Sequence, residues 1–239
     1  MKKLYLNPQD PYSVLNKSFS WRWWPILKFE LIAKVGELFL RRSAPQKGDK
    51  PLLHLGCGGN YLPDFVNADF YYYAFKFGNN KPKVDWMIDL RKPLSCPDNF
   101  WDGVFTEHTL EHLTPADNLA LLRELFRTMK DGAFIRICVP GLTETIKTFQ
   151  ENPDEDTIAY KNSLPYQTLA EAIWGLTQQW GHLSTFDADF LVSLLSIAGF
   201  KNCRVVSFRI GNDKRLLQDS PDRKLGSLYV EAQKLGSSQ

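Results

Sequence analysis

The sequence predicts an α/β fold, a mainly parallel sheet covered by helices on both faces. Two observations carry this. From Pro51 onward, short apolar runs of strand length alternate with segments of helical periodicity, as strands joined by crossover helices do. The last two runs, Cys203 to Ile210 and Ser227 to Ala232, are joined by a polar loop with no helical pattern, so the final strand is expected to enter antiparallel as a hairpin.

Taken in order, Pro25 to Arg41 reads as an amphipathic helix with Glu30, Lys34, Glu37 and Arg41 on one narrow face and Leu27, Leu31, Val35 and Leu38 opposite. A helix packed on the core or covering the site is the first reading. A helix lying in a membrane interface is the second, suggested by Trp21, Trp23 and Trp24 ahead of it. Ser43 to Lys50 reads as a linker, so residues 1–50 form an N-terminal helical extension and 51–239 the main domain.

Strands are expected over Leu52–Leu55, Phe65–Asp69, Val84–Ile88, Trp101–Thr106 and Ala133–Val139. Before the fifth, Thr114 caps a helix with Pro115 in its first turn and Asp117 returning the capping box. Leu119, Leu122, Leu125, Phe126 and Met129 form its apolar face, and Asp131-Gly132 ends it with a turn. Residues 141–180 break the alternation, with an acidic loop from Glu151 to Asp156 and a helix from Tyr166 to Gln178. An insertion after the fifth strand lies at the carboxyl edge of the sheet, where open α/β folds bind ligands, and is read as a substrate-side cap. A last helix, Asp187 to Ala198, stops at Gly199.

The 239 residues suit one large domain, and the formal charge of +2 leaves no electrostatic footprint for nucleic acid. Cys57, Cys96, Cys138 and Cys203 are scattered and read as buried thiols of a reducing compartment, with no metal site. Lys2 and Lys3 are not followed by an apolar run, and Trp21 to Leu40 carries too many charges to span a bilayer. A soluble, cytoplasmic protein is expected.

Gly56-Cys57-Gly58-Gly59-Asn60 directly follows the first strand, where glycines let backbone N–H groups approach a ligand. Asp69 ends the second strand and Asp89 follows the third. One such carboxylate can accept both hydroxyls of a ribose and another an adenine amine. A dinucleotide fingerprint needs a third glycine where Tyr61 stands, and its acidic residue comes later than Asp69. S-adenosylmethionine, which has no phosphate, suits these parts better.

The stretch Leu53 to Asn60 resembles the first motif of class I S-adenosylmethionine-dependent methyltransferases. The resemblance continues through Trp101 to Leu113, Leu122-Arg123-Glu124-Leu125, Met129-Lys130-Asp131-Gly132, Ile135 to Pro140 and Gly181 to Phe186. It is nearest a compact type-11-like subgroup, in which Leu62 to Asp69 replaces a longer first helix and second strand. The resemblance implies a Rossmann-like seven-stranded sheet of order 3-2-1-4-5-7-6 with the seventh strand antiparallel. It also implies that Gly56, Gly58, Asp69, Asp89, Leu90 and Glu107 line the cofactor.

Methyl transfer from a sulfonium needs alignment and exclusion of water, and a base only when the acceptor must lose a proton. His112 and His182 are the candidate bases, each balanced against a packing role, while His54 reads as core. A helix after His108 would put His108 and His112 on one face, yet spacing suggests no third metal ligand. Glu111 reads as an anchor, and Trp174, Trp180 and Tyr71 to Tyr73 as substrate wall or packing. The expected acceptor is a hydroxyl or amine on a sugar, cell-envelope precursor or secondary metabolite. Thr106-Glu107-His108-Thr109 stands where base-amine methyltransferases of nucleic acid carry Asn/Asp-Pro-Pro-aromatic, which argues against that substrate. The alternatives are a noncatalytic cofactor-binding or membrane-surface partner and a nicotinamide-dependent oxidoreductase.

Overall fold

The computed structural model describes residues 23–45, 50–75, 82–149 and 154–236. Trp21 and residues 151–153 of the acidic loop lie outside them. A seven-stranded sheet runs in the order β3-β2-β1-β4-β5-β7-β6. Its strands are β1 (Leu52–Leu55), β2 (Phe65–Asp69), β3 (Trp86–Met87), β4 (Trp101–Glu107), β5 (Met129–Pro140), β6 (Lys201–Val206) and β7 (Ser227–Gln233). The first five pair in parallel, and β7 runs antiparallel to both β5 and β6. The central strands are buried on both faces, so Leu53, Leu55, Val104, Ile135, Ile137 and Val230 form the middle of the core.

Local signals hold where they are dense. Thr114 caps α2 (Pro115–Thr128) by accepting from Asp117 N, and its hydroxyl donates to the Asp117 carboxylate at 2.6 Å. The buried face of α2 includes Leu121 beside Leu122 and Leu125, a quarter-turn from the expected stripe. Three corrections concern strand ends. β3 is only Trp86–Met87. β5 begins at Met129, and the expected turn at Asp131-Gly132 survives as a bulge, with Trp101 opposite Met129 but Gly103 opposite Phe134. β6 spans Lys201–Val206 rather than Cys203–Ile210 because the chain turns away at Ser207.

That turn is held by a buried ion pair. Arg136 on β5 and Asp219 are both fully buried and bonded through two nitrogens to two oxygens, and Arg136 also donates to the carbonyls of Ser207 and Ile210. The cap is three helices, α3 (Leu142–Thr148), α4 (Glu155–Ser163) and α5 (Leu169–Gln178). Glu155 and Asp156 are therefore helical, capped by Asp154, and α5 starts at Leu169 because Thr168 and Glu171 form a capping box there. α6 (Ala188–Ala198) is capped by Asp187 and ends at Gly199, as expected.

The N-terminal helix α1 (Trp23–Phe39) reverses the expected amphipathic sense. Its inner face rests on Ala33 and Gly36, and a Cβ at Gly36 would overlap the Tyr71 ring at 2.1 Å. Phe29 stacks on Phe70, Glu30 pairs with Arg91, and Glu37 accepts from the Tyr71 hydroxyl. Leu27, Leu31 and Leu38 point outward and are exposed, so their stripe is not packed on the core. No helix among the described residues is long and apolar enough to cross a membrane.

Removing one partner of a buried ion pair strands the other charge. Asp219→Ala is expected to lower unfolding stability by about 3–5 kcal/mol, while the double change Arg136→Met with Asp219→Leu recovers most of that loss. Urea unfolding curves of the three proteins check both.

Candidate active site

The carboxyl edge of the sheet carries two neighbouring groups of candidate residues. The first surrounds the glycine loop after β1. Gly56 takes φ +66°, and a Cβ there would lie 1.9 Å from Thr109 Oγ1, so only glycine fits. Gly56 N and Cys57 N donate to Ala68 O, which ties the loop to β2. Asp69 at the end of β2 accepts from Gly58 N at 2.7 Å and Phe70 N at 2.6 Å. Beyond the loop there is space: a Cβ on Gly59 would meet nothing within 4 Å, and one on Gly58 only the Tyr73 hydroxyl at 4.0 Å. Burial, reinforced by the Asp69 charge, pushes the Cys57 thiol up to about 12, so it remains a packing group.

The other expected contacts are placed less simply. Asp89 is buried and both its oxygens accept from the Arg91 guanidinium, which continues to Glu30 on α1. Leu90 packs, half-buried, against the core. Glu107 is turned to Ser220, accepting from its backbone N and its hydroxyl.

The second lines a cleft of about 510 Å³ between the ends of β4 and β5 and the cap, and includes His108, His112, His182, Tyr160, Tyr166 and Arg223. Residues 110–112 form a single 3₁₀ turn and His108 sits before it at φ +50°, so His108 and His112 do not share a helix face. Arg223 donates to His108 Nδ1 at 2.9 Å, which leaves the ring proton on Nε2, 3.0 Å from Ser227 Oγ. Burial, with the Arg223 charge and the two other imidazoles, holds His108 down at about 3. His182 Nδ1 lies 2.6 Å from Leu176 O, so that nitrogen carries the proton and Nε2 is left with a lone pair. The rings of His112 and His182 meet edge to face, 5.1 Å apart. Burial and His182 lower His112, against a backbone hydrogen bond at Gly181.

Glu111 lies behind the imidazoles, only 2% exposed. Its Oε1 is 3.7 Å from His108 Nδ1 and 4.0 Å from His112 Nε2, and burial pushes the carboxyl up to about 8. Its backbone carbonyl accepts from Leu183 N and Ser184 N, which brings the His182 loop alongside. Glu111, His112 and His182 offer atoms within 4.8 Å of one another, a group that leaves out His108 of the pair considered from spacing. Ligands sharing one zinc-sized ion sit about 3.4 Å apart, so this set would have to close up to hold one.

The aromatic wall differs from expectation. Trp180 faces this cleft with Tyr160 and Tyr166, Trp174 is not part of the lining, and Tyr71 to Tyr73 belong to the glycine-loop side under α1. His54 is buried in β1 against Asn67 and lowered to about 4 by burial. Cys203 is half-exposed, unlike the other three thiols.

Two of the lowered histidines, His54 and His108, and the raised Glu111 act on stability in opposite directions. His54 and His108 contribute fully above about pH 6.5 and lose that contribution as pH falls toward about 4 and about 3. Glu111 contributes below about pH 4.5 and loses that contribution as pH rises through about 8. Between pH 6.5 and 8 only the Glu111 slope operates among these three. The urea midpoint should therefore fall across that window in the native protein and flatten in Glu111→Gln.

A family model described as a methyltransferase domain matches residues 28–205. A search of curated proteins finds no match. Among solved structures, an S-adenosylmethionine-dependent methyltransferase from Archaeoglobus fulgidus is 19% identical over 86% of this chain and 94% of that one, with a TM-score of 0.51, and shares its fold. One from Methanosarcina mazei is 20% identical over 77% and 92%, with a TM-score of 0.42. Another from Thermotoga maritima, described as a possible histamine N-methyltransferase, is 12% identical over 92% and 95%, with a TM-score of 0.47. The family match runs from within α1 into β6 and does not single out the compact subgroup. With glycine loop, acidic strand ends and sheet order in agreement with it, the chain belongs to the methyltransferase domain family, as a class I enzyme whose cofactor is S-adenosylmethionine.

Proposed function

We propose that this enzyme methylates a hydroxyl or amine on a small molecule held in the cleft of His108, His112 and His182. A sugar, a cell-envelope precursor or a secondary metabolite fits that description. The observation that carries the reading is a shared wall. Thr109 packs against Gly56 on the donor side, while its neighbours His108 and Glu111 border the acceptor cleft. A methyl group presented over the glycine loop would then face the cleft directly.

The donor-side groups fit an adenosyl sulfonium. The open backbone at Gly58 and Gly59 leaves room, and Asp69 lies where ribose hydroxyls would reach its carboxylate. Asp89 and Leu90 would border the adenine, with Asp89 oriented by Arg91, and Glu107 would act by holding Ser220. When bound, S-adenosylmethionine supplies a methyl group already activated by positive charge. The chain's own residues position the acceptor and receive its proton. His182 Nε2 and His112 Nε2 are the proposed proton acceptors, because His108 has both nitrogens engaged. Arg223 on the lining favours an acceptor that carries an anionic group.

Isothermal titration with S-adenosylhomocysteine tests the donor side. Gly56→Ala is expected to weaken binding at least about tenfold, because its Cβ would collide with Thr109 Oγ1 and its φ of +66° disfavours any side chain. Incubation with methyl-tritiated S-adenosylmethionine and fractionated cell extract tests the acceptor. Label should enter the small-molecule fraction, and label found instead in RNA or protein would overturn the reading. With the acceptor in hand, His112→Ala and His182→Ala should lower kcat about 10²-fold or more for a hydroxyl acceptor while leaving S-adenosylhomocysteine affinity unchanged.

A further inference from the structure

We propose that α1 docks the enzyme on the surface of an anionic bilayer through its outward face. This inference goes beyond the methyl-transfer reading and does not depend on it. Leu27 is 51% exposed, Leu31 60%, and Leu38 and Phe39 77% each. At the 100° spacing of a helix, Leu27, Leu31, Val35 and Leu38 fall in one arc, and Lys28 and Lys34 stand on its two sides. Both acidic residues of α1 are taken up elsewhere, Glu30 by Arg91 and Glu37 by Tyr71 and Arg41. The outward face is therefore apolar in the middle and basic at its margins, with no carboxylate on it.

This distribution selects the occupant. Apolar side chains flanked by lysines match an interface where acyl chains lie beneath anionic headgroups. A second copy of the chain would bring the same patch against itself, adding two more lysines and no carboxylate to answer them. Residues 1–22 offer no complement either, since they carry four basic groups (Lys2, Lys3, Lys17, Arg22) against one acid, Asp10. The inner face explains how a helix with so apolar an exterior remains attached. It is fixed by two close aromatic contacts, Phe29 on Phe70 and Tyr71 under Gly36, and by Glu30 reaching the Arg91–Asp89 pair. The docking face would thus be joined rigidly to the donor end of the sheet.

The experiment is co-sedimentation of the full chain with phosphatidylcholine vesicles, with and without phosphatidylglycerol. Binding is expected with phosphatidylglycerol present, falling as salt is raised, and weak on phosphatidylcholine alone. Leu31→Glu with Leu38→Glu should reduce vesicle binding at least about tenfold. The same variant should keep native circular dichroism and S-adenosylhomocysteine affinity, since neither residue faces the fold. Equal sedimentation of the native and variant proteins would overturn the proposal, as would failure of the native chain to bind phosphatidylglycerol vesicles. So would a dimer, seen by sedimentation equilibrium, that the same two changes disperse.

Discussion

The cleft beneath the cap depends on a charge pair buried in the sheet beside it. Arg136 projects from β5 into a space without solvent and is matched there by Asp219, which also accepts from Arg209 N. Desolvating two charges is costly, and the pair is tolerable only because the remaining guanidinium protons reach carbonyls of Ser207 and Ile210. What it provides is position. The segment between β6 and β7 has little regular structure, yet it delivers Ser220 to Glu107 and Arg223 to His108. Tyr229 on β7 secures the same segment by donating to Arg223 O. One guanidinium on the sheet thereby determines the tautomer of an imidazole in the cleft.

The glycine loop is governed by a steric constraint. Gly56 and Thr109 occupy the same wall, and neither could be enlarged without separating β1 from the turn after β4. Asp69 completes the arrangement by holding Gly58 N from β2. Two features on different strands thus fix the loop without any side chain of its own. α1 is then laid over this edge by Glu30 and Glu37, whose partners Arg91 and Tyr71 follow β3 and β2. The carboxylates that seemed to mark a solvent face are the groups that attach the helix.

The legible parts of the sequence were those determined over a few residues. The β2 limits, the Thr114 cap and the stop at Gly199 all follow from short-range rules, and the structure has them where the sequence places them. Sheet order came through the motif resemblance rather than from periodicity, and it too holds. The misses share one cause, which is separation along the chain. Arg136 and Asp219 are 83 positions apart, and each alone reads as a solvated charge. α1 was misjudged because a wheel shows two faces without saying which one meets the protein. His182 stood out as a residue, but its place beside His112 and Glu111 depends on Leu183 and Ser184 donating to Glu111 O.

The three imidazoles of the cleft look equivalent in sequence and are separated by their partners. His108 is bracketed by a donor at Nδ1 and a hydroxyl at Nε2, and a cation 2.9 Å away opposes any further proton. It can orient an acceptor but is poorly placed to take a proton from one. His182 is held through Nδ1 by a carbonyl, which leaves the lone pair on Nε2 turned to the cleft's other groups. His112 stands edge to face against His182, and burial together with that neighbour lowers it. Glu111 lies closer to His108 and His112 than to solvent, and its burial keeps it largely protonated near neutral pH. The three rings are thus told apart by their neighbours, His108 bonded at both nitrogens and His182 through Nδ1 alone.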